Sequence, residues 1–337
     1  MDYKTAMKQI GRGSVQPVYV CYGPETYLLE EFVAHLADHW LEPEYREFSV
    51  SKYDLTETGL DAVLEDARTL PFMAERKLVI AKNALFFTAS KDPGKIEHQT
   101  DRLLEYAKEP SEQTVLVFTV EAEKLDERKK LVKTFRDACI PFSPLSADEL
   151  LQWVNRQAAK LNVTLADGAA DHLILYAGTQ LRQLARELEK LALYAGPNGT
   201  ITGEAIERLV SRQAEQNVFA LIDDIAHLRL QRAFETLRDL LNQREEPIKI
   251  LLLIARQFRI IMQVKELARK GYSQQQIASG LGIHPYAVKI AAEQGKRYDN
   301  ERLIRILTKL ADLDYMMKSG KIDKVLGLEL FLLELAS

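Results

Sequence analysis

Residues 18–31 read Val18-Tyr19-Val20-Cys21-Tyr22-Gly23-Pro24-Glu25-Thr26-Tyr27-Leu28-Leu29-Glu30-Glu31. A short apolar run of β-branched and aromatic residues, stopped by Gly-Pro, predicts a buried strand over 18–22. Helical spacing follows over 27–40, with Leu28, Phe32, Leu36 and Trp40 on one side. In a nucleotide-binding α/β domain the turn between such elements is the phosphate loop. Glycines there admit backbone N–H groups to phosphate, a Lys neutralises charge and a Ser or Thr holds magnesium. Here residues 23–31 hold one glycine, Gly23, no Lys, and three acidic residues, Glu25, Glu30 and Glu31. A carboxylate at a helix N-terminus is a good cap, but it repels a triphosphate. The scaffold is that of a nucleotide binder and the chemistry of the turn is not.

Outward from this turn the pattern alternates. Further strands are predicted over 46–50, 77–81, 114–118 and 140–142, and helices over 58–68, 95–108 and 126–138. Strands alternating with helices of this length imply a parallel sheet with helices on both faces. Phe118-Thr119-Val120-Glu121 lacks the acidic pair that would hold magnesium for an ATPase. After Pro141 and Pro144 no further strand is expected. Ser146-Ala147-Asp148-Glu149 matches a capping box, and helices follow at 147–160, 166–177, 180–195 and 203–212, broken at Gly178 and at Gly196-Pro197-Asn198-Gly199. From Asn217 to Ala336 the chain continues as longer amphipathic helices. Breaks fall near Gln243 to Pro247, Gly271-Tyr272, Gly280 to Pro285, Asp299 and Gly320. No internal repeat is visible.

The chain has 337 residues, enough for two domains or three small ones. With 47% hydrophobic and 28% charged residues it has ample apolar surface to offset the entropy of ordering, which excludes a disordered chain. Apolar runs such as Ile250 to Ala255 are far shorter than the roughly 20 residues a bilayer requires, so no membrane span is expected. Residues 1–13 lack the apolar segment of a secretory signal. Two cysteines form no disulfide framework, and a reducing cytoplasm is expected. The net charge of −4 divides unevenly: residues 214–337 carry 19 Lys and Arg against 16 Asp and Glu, and residues 1–213 carry 26 against 33. So mild an asymmetry suits a solvated surface better than a chain that grips nucleic acid alone.

Two other stretches bear on function. Leu70-Pro71-Phe72-Met73 puts apolar residues around a proline at an element boundary. On composition it is either a buried plug or an exposed hydrophobic finger that enters a partner's pocket; the polar flanks Arg68-Thr69 and Ala74-Glu75-Arg76-Lys77 suit a projecting tip. Tyr272 to Lys296 has the form of a helix-turn-helix. A reader of base edges carries Arg, Lys, Asn or Gln early on its second helix, whereas Pro285-Tyr286-Ala287-Val288-Lys289 has one basic residue. A packing hairpin and a DNA-binding regulator are the two readings. His35 and His39 share a helix face without the intervening Glu of a zinc protease, so no metal site is expected. Cys21 and Cys139 read as small core residues. Asn162-Val163-Thr164 and Asn198-Gly199-Thr200 match glycosylation sequons that mean nothing without secretion. No catalytic Ser/His/Asp set is identifiable.

The ordered segments VYVCYGPETYLLEE (18–31), ARTLPFMAERKLVIAKN (67–83), EKLDERKKLVK (123–133), AGTQLRQLARELEKLALY (177–194) and NVFALIDDI (217–225) resemble those of the delta subunit of bacterial DNA polymerase III, most closely its Gram-positive members. The resemblance implies an AAA+-like clamp-loader fold, α/β plus all-α: a RecA-like parallel-sheet domain over 1–143, a helical lid over 144–213 and a helical collar over 214–337. It implies a chain that binds the beta sliding clamp and helps open it for loading onto primed DNA, beside tau/gamma and delta prime subunits. Such a chain needs no cofactor and no catalytic activity of its own, although it serves a DNA-directed DNA polymerase holoenzyme. A nucleotide-binding AAA+ ATPase is the alternative. The resemblance places the clamp finger at Phe72-Met73, with Leu70 beside them, and thereby favours exposure of that segment; Leu70 or Met73 supplies the second anchor. Gly23, Glu25 and Thr26 fall in the degenerate phosphate loop. Arg182 falls where related ATPases sense phosphate, and without a nucleotide it is expected to pair with Glu187 or Glu189. Lys318 and Lys321, flanking Gly320, are the expected DNA contacts.

Overall fold

The computed structural model describes residues 1–90, 96–210, 214–227 and 229–336. The chain forms two compact units, Met1–Pro144 and Leu145–Ser337.

The first unit runs α1 (Tyr3–Gly11), β1 (Val18–Tyr22), α2 (Thr26–Trp40), β2 (Val50–Asp54), α3 (Leu60–Arg68), β3 (Lys77–Lys82), α4 (Thr100–Tyr106), β4 (Thr114–Val120), α5 (Lys130–Thr134) and β5 (Cys139–Pro141). The five strands pair in the order β2-β3-β4-β1-β5, and every pair is parallel. The central strands are buried along nearly their whole length because helices cover both faces. On one face Leu60, Val63, Leu64 and Ala67 of α3, Leu103 and Tyr106 of α4, and Leu131 and Val132 of α5 pack on Val18, Val20, Val79, Leu116 and Phe118. Each fully buried aliphatic or aromatic side chain here contributes about 1.5–3 kcal/mol. The rings of Tyr3, Tyr19, Phe32 and Phe142 meet edge to face in a second cluster that ties α1, α2 and β1 to the residue after β5.

The predicted strand over 46–50 lies one turn too early; the strand is Val50–Asp54. Phe48 N donates to Tyr45 O (3.0 Å) and Ser49 Oγ to the same carbonyl (2.8 Å), closing a turn where the strand was expected. β2 is an edge strand whose side chains are half-buried or, at Lys52, exposed, so it lacks an apolar run to announce it. The predicted charged helix over 126–138 shrinks to Lys130–Thr134 and a separate 3-10 turn at Arg136–Ala138. Asp126 is the reason: its carboxylate accepts from Arg128 N and Nε (3.2 and 2.9 Å) and fixes a turn. The helix predicted over 95–108 is Thr100–Tyr106, and Lys95 lies outside the described residues.

The second unit contains α6 (Ala147–Lys160), β6 (Thr164–Leu165), α7 (Ala169–Ala177), α8 (Leu181–Ala195), β7 (Thr200–Ile201), α9 (Gly203–Leu209), α10 (Ala214–Ala226), α11 (Leu230–Asn242), α12 (Pro247–Arg269), α13 (Gln274–Leu281), α14 (Pro285–Gly295), α15 (Asn300–Lys318) and α16 (Lys324–Ala336). The expectation of no strand here is corrected by the short parallel pair β6–β7, in which Thr164 faces Thr200. Two-residue strands are too short to leave a periodic signal. The last residues of the helix predicted over 203–212, 211 and 212, lie outside the described residues. The capping box forms as expected, with Ser146 Oγ accepting from Glu149 N and Glu149 Oε2 accepting from Ser146 N. A second one, Ser273 with Gln276, starts α13. The core of α10 to α16 is mostly aliphatic, built around Ile250, Ile254 and Ile261 of α12 together with the ring of Phe258. None of the described helices is long and apolar enough to cross a membrane.

Candidate functional site

The parallel sheet separates two places of interest by strand polarity. The turn after β1 lies at the C-terminal ends of the strands. The 69–76 segment, between α3 and β3, lies at the N-terminal ends of β2 and β3.

At the first place the backbone is already bonded. Gly23 N donates to Val120 O (3.3 Å), Glu25 N to Phe142 O (3.0 Å) and Thr26 N to Pro24 O (3.0 Å). These N–H groups are the ones that would face a phosphate. Gly23 has φ +137°, and a Cβ added to it would stand 2.2 Å from Phe142 O. Glycine is therefore required here for close passage of the chain beyond β5, a different role from that of a phosphate-loop glycine. Phe142 itself is buried against Tyr3 and Phe32.

At the second place α3 ends cleanly. Thr69 N donates to Glu65 O and Asp66 O (both 3.0 Å), and Thr69 Oγ1 to Glu65 O (2.8 Å). The chain then leaves the surface: Leu70, Phe72 and Met73 are 74%, 77% and 69% exposed. The segment is therefore not a buried plug. Met73 adopts φ +58°, a left-handed backbone that β-branched side chains tolerate poorly, so an unbranched Met suits the position.

The finger's base is rigid. Lys77 is buried, and its Nζ donates to Asp66 Oδ1 (2.9 Å) and to the Asp66 carbonyl. Tyr53 OH donates to Asp66 Oδ2 (3.1 Å), so one carboxylate joins α3, β2 and β3. Burial alone would raise the Asp66 carboxyl, but hydrogen bonds from Lys77, Ser51 and Tyr53 and the Lys77 charge hold it below the ordinary carboxylate value. On the other flank the Arg76 guanidinium stacks over the Trp40 ring at 4.4 Å, Trp40 Nε1 donates to Lys77 O (3.2 Å), and Glu75 N donates to Glu42 Oε2 (3.3 Å). The segment is thus an apolar tip on a braced stem. Sequence reasoning found the tip and missed the brace, since Asp66 and Trp40 are recognisable as partners only once the strands are paired.

The remaining candidates resolve as follows. His39 Nδ1 bonds to His35 O (2.9 Å) and His35 Nε2 to Met7 O (3.2 Å). Among the described residues no three His, Cys, Asp or Glu side chains converge as metal ligands. Cys21 and Cys139 are free thiols on adjacent strands, and burial pushes Cys139 up to about 11. In the helix-turn-helix-like stretch, α14 packs on α12 and α13, and Glu293 is its one exposed residue. Its buried residues Tyr286, Val288, Ala291 and Gln294 serve packing, and Lys289 is the one basic residue it carries. Glu187 is engaged by Lys190 and by Gln183 Nε2 (3.0 Å). Lys318 Nζ lies 2.8 Å from Asp314 Oδ2, and Lys321 Nζ sits 4.9 Å from the Tyr315 ring centroid. Asn162 and Asn198 take left-handed turn conformations, and Asn198 N donates to Asn162 O (2.9 Å).

A parallel α/β unit whose first turn is bonded to backbone carbonyls, with a braced apolar segment at the opposite end of the strands and a mainly helical unit after it, defines a scaffold of the nucleotide-binding α/β type. Comparison with known proteins makes this specific. The family model for the DNA polymerase III delta subunit matches residues 19–141, and that for the delta subunit's C-terminal domain matches residues 215–335. The DNA polymerase III subunit delta of Bacillus subtilis is 42% identical over 330 residues, covering 97% of this chain and 95% of that protein. The probable DNA polymerase III subunit delta of Aquifex aeolicus is 23% identical over 308 residues, covering 89% and 86%. The solved structure of the Bacillus subtilis DNA clamp loader delta protein superposes with a TM-score of 0.72 at 42% identity, covering 99% of each chain. The chain belongs to the DNA polymerase III delta subunit family. It has the fold of a clamp-loader delta subunit and a role in the clamp-loading complex during DNA replication.

Proposed function

We propose that this chain binds the beta sliding clamp through the finger and helps open it for loading onto primed DNA, without binding or hydrolysing ATP. The observation that carries this reading is the exposure of Leu70, Phe72 and Met73 on a stem fixed by Asp66–Lys77 and Trp40–Arg76. An exposed apolar tip costs solubility and gains only when a partner covers it. Filling a dry pocket with two such side chains is worth about 1.5–3 kcal/mol each. Phe72 is the first anchor and Met73 the second, with Leu70 in support. Ring opening then follows from tighter binding to the sprung form of the clamp, since a ligand shifts an equilibrium only by its differential affinity.

The bonded N–H groups at Gly23, Glu25 and Thr26 support the nucleotide-free part of the proposal. Residues 1–143 form the clamp-binding domain, 144–213 the lid and 214–337 the collar that joins the tau/gamma and delta prime subunits in the cytoplasm; residues 211–213, at the lid–collar boundary, lie outside the described residues. Leu326, Leu330 and Leu333 recur on the exposed side of α16 at helical spacing, as a subunit contact requires. Lys318 and Lys321 are the proposed DNA-facing cations; each ammonium has three donors, so its partner in the chain leaves capacity for a phosphate.

The test is clamp binding by the full chain carrying Leu70→Ala or the pair Phe72→Ala and Met73→Ala. Loss of binding by the pair with unchanged thermal unfolding supports the proposal. Wild-type affinity in the pair contradicts it.

A further inference from the structure

The loop before β2 carries a second apolar side chain at the finger's end of the sheet. Phe48 is 77% exposed, the same as Phe72. It lies between charged and polar neighbours, Arg46, Glu47 and Ser49, and belongs to neither core cluster of the first unit.

Its position relative to the finger follows from strand pairing. Val50 pairs with Leu78 in the parallel β2–β3 ladder, and Leu78 N donates to Ser49 O (2.8 Å). Phe48, two residues before β2, therefore stands at the same N-terminal end of the sheet as Arg76, the residue before β3 and the last of the finger segment. The two connections, 41–49 and 69–76, are also stitched together by Glu42 to Glu75 N, and Trp40 at the end of α2 holds Arg76 and the Lys77 carbonyl. Phe48 is held, too. Its own N–H is bonded to Tyr45 O, Ser49 Oγ bonds to the same carbonyl, and Arg46 is paired with Asp38. An exposed aromatic on a fixed turn loses little conformational freedom when a partner covers it, which is the character of an interface anchor.

We infer that Phe48 is a further anchor for the sliding clamp, packing on the ring's apolar surface next to the pocket taken by Phe72 and Met73. The inference rests on the clamp-binding reading of the finger. It assigns the clamp, because a partner that covers the finger must pass over the connection to which the finger is tied. The docking surface then spans the N-terminal ends of two neighbouring strands, which fixes the ring's orientation as well as its attachment.

The experiment measures binding of the full-length chain to immobilised sliding clamp of the same organism, with thermal unfolding of each variant as a control. Phe48→Ala removes no core contact and is expected to leave unfolding unchanged while weakening clamp binding about tenfold or more. Phe48→Leu, which keeps an apolar side chain, is expected to recover part of the loss. If Phe48→Ala binds as the wild type does while the Phe72→Ala, Met73→Ala pair does not, the inference is overturned and the finger stands. If the Phe72, Met73 pair binds normally, the finger reading fails and the inference fails with it.

Discussion

Lys77 Nζ stands 2.9 Å from Asp66 Oδ1, joining the first residue of β3 to the last turn of α3 across the root of the exposed segment between them. Lys77 is nearly fully buried and Asp66 about a fifth exposed, so each is the other's main compensation for lost water. Replacing Asp66 by Asn leaves a buried ammonium without its counter-charge. We expect Asp66→Asn to lower unfolding free energy by about 3 kcal/mol in urea titration. Clamp affinity should fall too, although Asp66 does not project toward a partner, because the stem loses its fixed direction.

The same carboxylate sets a pH dependence. Its folded pKa is lowered, so its contribution to stability is present above the ordinary carboxylate value and is lost as pH falls through that value and the lower folded one. Urea unfolding of the wild type against Asp66→Asn should therefore differ above about pH 5 and converge in stronger acid.

A second titration is written into α14. His284 caps that helix, its Nδ1 accepting from Tyr286 N at 3.1 Å, and burial pushes its imidazole down to about 4. The unfolded chain takes up this proton near 6.5, so stability declines as pH drops from that value to about 4. His284→Asn keeps a capping side chain and removes the titration. The wild type should lose about 2 kcal/mol more than the variant between pH 7 and pH 4.

Closure of the turn after β1 predicts two outcomes. Gly23→Ala forces a Cβ to 2.2 Å from Phe142 O at a φ of +137° and should cost about 2–3 kcal/mol in thermal or chemical unfolding. Calorimetric titration of the full chain with ATP and magnesium should show no binding. Micromolar affinity would require the Gly23, Glu25 and Thr26 N–H groups to leave their carbonyl partners.

Much of this molecule was legible in its sequence where apolar side chains repeat with one period. The strands at 18–22, 77–81 and 114–118 are buried on both faces and stand out as continuous apolar runs. The breaks at Gly271, Gly282 and Gly320 match left-handed glycines that end helices. The edge strand Val50–Asp54 did not stand out, because its order comes from pairing with β3 rather than from its own composition. That shift by four residues also hid Phe48, which a strand over 46–50 would count among packed residues. The finger could be named from Leu70, Phe72 and Met73, but whether it was plug or tip depended on where α3 ended and on the Asp66–Lys77 lock. Those are long-range facts that local patterns do not carry.

The central claim is that the 69–76 segment touches the sliding clamp. Replacing Phe72 with a benzophenone-bearing amino acid and irradiating the full chain with the clamp tests contact itself. The account predicts a covalent adduct with the clamp that disappears when unlabelled wild-type chain is added in excess. Adducts that never include the clamp, or that survive this competition undiminished, would contradict it.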